Sequence, residues 1–91
     1  MRDKEKYTQY GLIVEEYDAL LAKQGGCCAV CHKPETLRIK GQRVDLAVDH
    51  DHTTGKVRGL LCHLCSRGSG FFQGSPDRLR AMAAYLERHG Q

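Results

Sequence analysis

The sequence predicts a small α+β domain in which a β-hairpin, stapled by a metal at its two ends, lies between an N-terminal and a C-terminal helix. Three observations predict it. Two C-x-x-C pairs bracket an alternating apolar segment, a turn-rich loop and a second apolar run, and a stretch of helical periodicity stands on either side of them. With 91 residues, the chain is expected to form one domain over 1–91, near the size at which a hydrophobic core alone is marginal and metals or disulfides usually assist. Hydrophobic residues make up 41% of it and there is no Trp, enough for one modest core.

In chain order, residues 1–12 are polar and charged without a period and read as a loose tail. From Val14 to Lys23 the apolar Tyr17, Leu20 and Leu21 recur at helical spacing, with Glu15, Glu16 and Asp18 toward the end where their charge is favourable. Gly25-Gly26 ends that helix, whereas Ile13 stands where a Ser, Thr or Asp cap would be expected. Val44 to Val48 alternates, with Val44, Leu46 and Val48 on one side and Asp45 and Ala47 on the other, the pattern of a half-buried strand. The loop from Asp51 to Lys56 and the run from Val57 to Leu61 complete a hairpin with a long connection. Ser75-Pro76-Asp77 is a helix start, and Leu79, Met82, Ala83 and Leu86 form a stripe expected to pack on the core.

Cys28 with Cys31 and Cys62 with Cys65 have the spacing of a Cys₄ zinc site, because two intervening residues let a tight turn present both sulfurs to one ion at about 2.3 Å. Two redox dithiols or disulfides are the other reading of the same spacing. Cys27 is an odd thiol that could replace Cys28 within the allowed gaps, although the second pair favours Cys28; His32 and His63 stand beside ligands. Thirty residues separate Cys31 from Cys62, more than a simple zinc ribbon uses. Zinc is therefore expected to clamp a hairpin whose chemistry is separate from the metal.

Formal net charge is only +3, and from Arg38 to Arg67 the basic Arg38, Lys40, Arg43, Lys56, Arg58 and Arg67 outnumber Asp45, Asp49 and Asp51. Thiolate formation and zinc binding would lower the total to about +1, so any nucleic-acid contact must come from the local basic stretch. Asp49-His50-Asp51-His52 follows the predicted strand. Alternating carboxylate and imidazole offers a hard oxygen ligand for Mg²⁺ or Mn²⁺ and a base that titrates near neutrality. The same tetrapeptide also fits a merely solvated polar turn.

The segment from Leu46 to Cys65, with Asp49-His50-Asp51-His52, Thr54-Gly55-Lys56-Val57-Arg58-Gly59-Leu60-Leu61 and Cys62-His63-Leu64-Cys65, closely resembles the core of the recombination endonuclease VII family. That family lies within the His-Me finger (HNH-like) superfamily. The resemblance runs from about Tyr10 through Tyr17-Asp18-Ala19-Leu20-Leu21 and both cysteine pairs to the last helix. It implies a ββα-metal fold and a nuclease acting on DNA. Asp49 then corresponds to the acidic ligand of a catalytic Mg²⁺ or Mn²⁺, His50 to the general base, and His52 to a further histidine at the scissile phosphate. Cys28, Cys31, Cys62 and Cys65 correspond to structural zinc ligands. Where the family usually has an Asn as second metal-binding side chain, this chain has Ser66, a shorter and poorer ligand. Lys56 and Arg58 are the candidates for contacts to flanking phosphates, with solvated hairpin charge as the alternative.

The expected activity is nicking or weakly specific cleavage of DNA by a monomer. A dimeric Holliday-junction resolvase needs two sites at fixed separation, for which one helix beyond the hairpin provides little; it and an inactive zinc-stapled DNA-binding module are the alternatives. No apolar run approaches the roughly 20 residues of a membrane span, and the start from Met1 to Lys6 lacks the apolar stretch of a signal peptide. A cytoplasmic protein without a membrane partner is expected.

Overall fold

The computed structural model describes residues 12–90. Its elements are α1 (Val14–Lys23), β1 (Arg38–Ile39), β2 (Gln42–Arg43), β3 (Ala47–His50), β4 (Val57–Leu61), α2 (His63–Phe71) and α3 (Pro76–Arg88). The strands form two separate antiparallel pairs, β1 with β2 and β3 with β4. The described residues thus make a small α+β arrangement of three helices and two small sheets.

Helix α1 has the predicted bounds, and the missing cap is supplied from inside the helix. Glu16 Oε1 accepts the Ile13 N–H at 3.1 Å, which is the reciprocal half of a capping box. At the other end Gly26 N–H donates to Leu21 O at 2.9 Å. Gly25 and Gly26 hold φ at 67° and 76°, the left-handed conformation in which glycine is unstrained. The buried face carries Val14 and Tyr17, and the Tyr17 hydroxyl donates to Leu46 O at 2.6 Å, tying helix to hairpin. Leu12, assigned to the tail by its polar neighbours, is only 9% exposed and belongs to the core, since its side chain has no polar group to solvate. The rest of the expected tail, 1–11, lies outside the described residues.

Among the described residues the core consists of Leu12, Val14, Tyr17, Cys28, Leu46, Leu60, Leu61 and Cys62. β4 matches the predicted strand, but β3 begins at Ala47 and continues through His50, where the alternation placed Val44 to Val48. The alternation itself is present, with Leu46 buried between exposed Asp45 and Ala47. Pairing is what moves the strand: Ala47 already faces Leu61, and β4 ends there as the chain turns through Cys62 into α2. Val44 N–H bonds instead to Leu37 O at 2.9 Å. The small hairpin β1–β2 turns on Lys40 and Gly41, both with positive φ (53° and 81°), as two-residue hairpin turns require.

Ser75 caps α3, its hydroxyl accepting the Arg78 N–H at 3.2 Å, with Pro76 at the first helical position. The expected packing of the α3 stripe on the core is not found. Leu79, Met82 and Leu86 remain between 39% and 41% exposed, Ala83 is exposed, and no residue of α3 is buried. The core is already closed by α1 on β4 and by α2 on both strands of the hairpin, and α3 has no comparable packing among the described residues.

Candidate metal centre and hairpin site

The cysteine pairs meet. One sulfur from each of Cys28, Cys31, Cys62 and Cys65 lies within 4.8 Å of the others, and no other such group of ligating side chains occurs among the described residues. Cys31 Sγ stands 3.8 Å from Cys62 Sγ, and a tetrahedron with 2.3 Å metal–sulfur bonds has edges of about 3.8 Å. The donor set and its spacing therefore fit zinc. All four thiols are unbridged, as is Cys27, whose Sγ turns away to Gly25 O at 3.5 Å.

Electrostatics within the cluster explain why a cation belongs there. Burial works against ionising Cys28, yet hydrogen bonds from the backbone at Cys31, Cys62 and Val30 and from the Cys65 thiol outweigh it and lower its pKa to about 6. Burial, the neighbouring thiols and the Cys28 charge push Cys65 up to about 12, and Cys62 is raised as well, chiefly by burial. One thiolate thus forms easily and the next are held off, until a divalent cation compensates the charge.

Glu35, which sequence patterning gives no reason to single out, organises this end of the hairpin. It is 5% exposed and accepts the Thr36 and Leu37 N–H groups at 3.1 and 3.0 Å. Its other oxygen accepts the His63 N–H at 2.7 Å, and the His63 Nδ1–H donates to Oε1 at 2.5 Å. A carboxylate therefore caps the first turn of α2, where the helix dipole favours it, directly beside Cys62. Burial raises the Glu35 pKa, but the Leu37 N–H and the His63 ring and N–H more than offset it, so the carboxyl titrates below its ordinary range. The partner that joins it to α2, His63, lies 28 residues away, so no local signal marks that role.

The Asp-His-Asp-His segment divides between strand and loop. Asp51 shapes the connection: its carboxylate accepts the Thr53 and Thr54 N–H groups at 2.8 and 2.9 Å, and Gly55 N–H returns to Asp51 O at 2.7 Å. Those bonds hold its pKa below the ordinary value. Asp49 and His50 lie within β3, not beyond it. The ring of His50 stands 5.6 Å from that of exposed His52, so the two predicted histidines do come together.

Asp49 pairs across the ladder with Gly59 and His50 with Val57, leaving Arg58 as an extra residue of β4 at the irregularity between them. Such a bulge re-aims its side chain. Here it directs Arg58 onto Asp49: Nε donates to Oδ2 at 2.8 Å and Nη2 to Oδ1 at 3.1 Å, a bidentate fork. The Asp49 oxygens are of the hard type that suits Mg²⁺ or Mn²⁺, so their donor chemistry fits a divalent ion, although the guanidinium takes both of them here. Lys56 is exposed on the loop, and Ser66 is half-buried one turn into α2, the helix that packs against β3.

A hairpin held beside four zinc-suited thiols, carrying a carboxylate, a histidine and a guanidinium on its strands and a second histidine on its loop, defines a small hairpin site followed by a helix. The recombination endonuclease VII family model matches residues 3–88, and the chain belongs to that family. It is 50% identical over 58 residues to the Gene 59 protein of Mycobacterium phage D29, covering 64% of this chain and 32% of that protein. To the Gene 59 protein of Mycobacterium phage L5 it is 45% identical over the same length and shares. The chain therefore spans about a third of the length of these curated relatives. No solved structure matches it. No helix of the described residues is long and apolar enough to cross a membrane.

Proposed function

We propose that this chain is a metal-dependent nuclease unit that hydrolyses DNA phosphodiester bonds, with β3, β4 and α2 as the two strands and the helix of a ββα-metal (His-Me finger) site. The observation that carries this reading, beside family membership, is the meeting of His50 and His52, whose rings stand 5.6 Å apart, with the Asp49 carboxylate adjacent in sequence to His50. A base and an assisting imidazole that close together, beside a hard oxygen ligand, can serve one phosphate.

In this reading His50 takes a proton from the attacking water, and His52 assists at the scissile phosphate. Asp49 is the main protein ligand for Mg²⁺ or Mn²⁺, and an ion bound there would offset charge developing on the phosphate and the leaving oxygen. Ser66 occupies the position from which an Asn usually assists Asp49, and it does so weakly. Lys56 and Arg58 hold flanking phosphates. The Cys₄ zinc takes no part in the reaction and keeps the ends of the hairpin together. The product is a nick in duplex DNA or a cut of weak specificity.

Plasmid nicking with Mg²⁺ and with Mn²⁺, run beside His50→Ala on zinc-loaded protein, tests the reading. Metal-dependent nicking that His50→Ala removes is expected. A wild-type protein that binds DNA but is inert with either ion would overturn the enzyme in favour of a binding module.

A further inference from the structure

Sequence patterning offers Arg58 to DNA, yet it is committed to Asp49 through both nitrogens of the fork while its side chain remains 46% exposed. The contact is built into the ladder, because Arg58 is the extra residue of the β4 bulge and cross-strand pairing does not set its direction. Both partners also line one cleft of about 410 Å³, together with Ser69 of α2 and Leu79 of α3, so the guanidinium has open space beside it.

We propose that Arg58 is the resident counter-cation of Asp49, which it releases for a DNA phosphate when a divalent ion takes the carboxylate, so that metal and DNA binding are coupled. This rests on the reading of Asp49 as the metal ligand. The guanidinium and the ion compete for the same two oxygens, and a positive group left at about 3 Å from them repels a second cation. A phosphate offers the guanidinium an equivalent bidentate acceptor, so DNA draws Arg58 off Asp49 as the ion arrives. The consequence is poor metal affinity in free protein and a larger gain on adding DNA than the phosphate's own charge supplies. By linkage the metal tightens DNA by the same factor.

The test is Mn²⁺ titration by electron paramagnetic resonance on zinc-loaded protein, in a His50→Ala background so that a short duplex stays intact. The background protein with Arg58 retained, Arg58→Gln and Asp49→Asn are compared with and without the duplex. Without DNA, Arg58→Gln is expected to tighten Mn²⁺ by roughly two- to fivefold, the scale of one exposed ion pair, and Asp49→Asn to abolish that binding. Adding duplex should then improve Mn²⁺ affinity more in the protein that retains Arg58 than in Arg58→Gln, which has no guanidinium to hand over. Equal or weaker Mn²⁺ binding in Arg58→Gln, with Asp49 still required, overturns the handover and leaves Asp49 as a ligand. Tightening with an identical gain from DNA in both proteins also overturns it, since Arg58 would then be a static competitor. Mn²⁺ binding that never depends on Asp49 overturns the handover and the reading of the site together.

Discussion

The side-chain amide of Gln24 pairs with both backbone groups of Leu60, its Nε2 donating to the carbonyl at 3.0 Å and its Oε1 accepting the N–H at 3.0 Å. Nε2 also reaches Cys27 O at 2.8 Å, so the end of α1, the first cysteine loop and β4 meet at one residue. Leu60 is fully buried, so its N–H has no water to turn to. Gln24→Ala is expected to cost about 2 kcal/mol through that orphaned donor, read as a lowered urea midpoint of the zinc-loaded protein. An unchanged midpoint would show that water replaces the amide.

The staple should carry more of the stability than any hydrogen bond. Purified protein is expected to hold one tightly bound zinc, and chelation should unfold it, because the core among the described residues is small and two of its eight members, Cys28 and Cys62, are zinc-suited thiols. Cys62→Ser should prevent folding, while Cys27→Ser, whose sulfur faces Gly25 O, should leave zinc content and circular dichroism unchanged. Folded, reduced protein without zinc would contradict this.

Glu35 makes a pH-dependent contribution with a definite sign. Its folded pKa lies below 4.5, so its stabilisation is fully present above the unfolded value and is lost as pH falls through the depressed folded value. Glu35→Gln replaces an acceptor by an N–H group facing backbone donors and should cost about 2 kcal/mol at neutral pH. The gap between the two urea midpoints should narrow below pH 4.5. A gap constant with pH would mean that shape, not charge, is what the position requires.

The residues that the sequence made legible act on near neighbours or repeat at a simple period. Gly25-Gly26, the Val57–Leu61 run, Ser75-Pro76 and the two cysteine pairs are of this kind, and the structure has α1, β4, α3 and the thiol cluster where they indicate. The tertiary roles of Glu35 and Gln24 escaped because the partners that define them, His63 and Leu60, are 28 and 36 residues distant. The bulge at Arg58 escaped because an apolar pattern specifies which face is buried but not which residue the ladder skips. The α3 stripe misled for a related reason: periodicity identifies an apolar face without naming what covers it.

That uncovered stripe makes α3 the element with the least tertiary support. Backbone amides from Leu79 to Leu86 are expected to exchange with solvent at least about tenfold faster than those of Leu60 and Leu61, since local opening of α3 exposes little further apolar surface. Hydrogen exchange read by mass spectrometry on dilute zinc-loaded protein checks it. Protection of α3 equal to that of β4 would mean that its apolar face is covered in solution.

The last prediction concerns the chemistry and turns on Ser66. If the divalent ion is held mainly by Asp49, affinity in the absence of DNA is weak and nicking should rise steeply at millimolar Mg²⁺ or improve with Mn²⁺, which accepts nitrogen and oxygen ligands. An Asn at the same place on α2 would present a carbonyl oxygen further from the helix axis than a Ser hydroxyl. Ser66→Asn should therefore increase nicking while zinc content and stability stay constant, the position lying just beyond the zinc loop and only half-buried. His50→Ala should cost on the order of a hundredfold or more, the scale of a lost general base, and Asp49→Ala a similar amount by losing the ion. Plasmid nicking across a Mg²⁺ series separates the roles, since a ligand defect is partly relieved by more metal whereas a missing base is not. If Ser66→Asn leaves the rate and the Mg²⁺ midpoint unchanged while His50→Ala abolishes cutting, Ser66 is an adequate partner for Asp49 and the amide is dispensable in this chain.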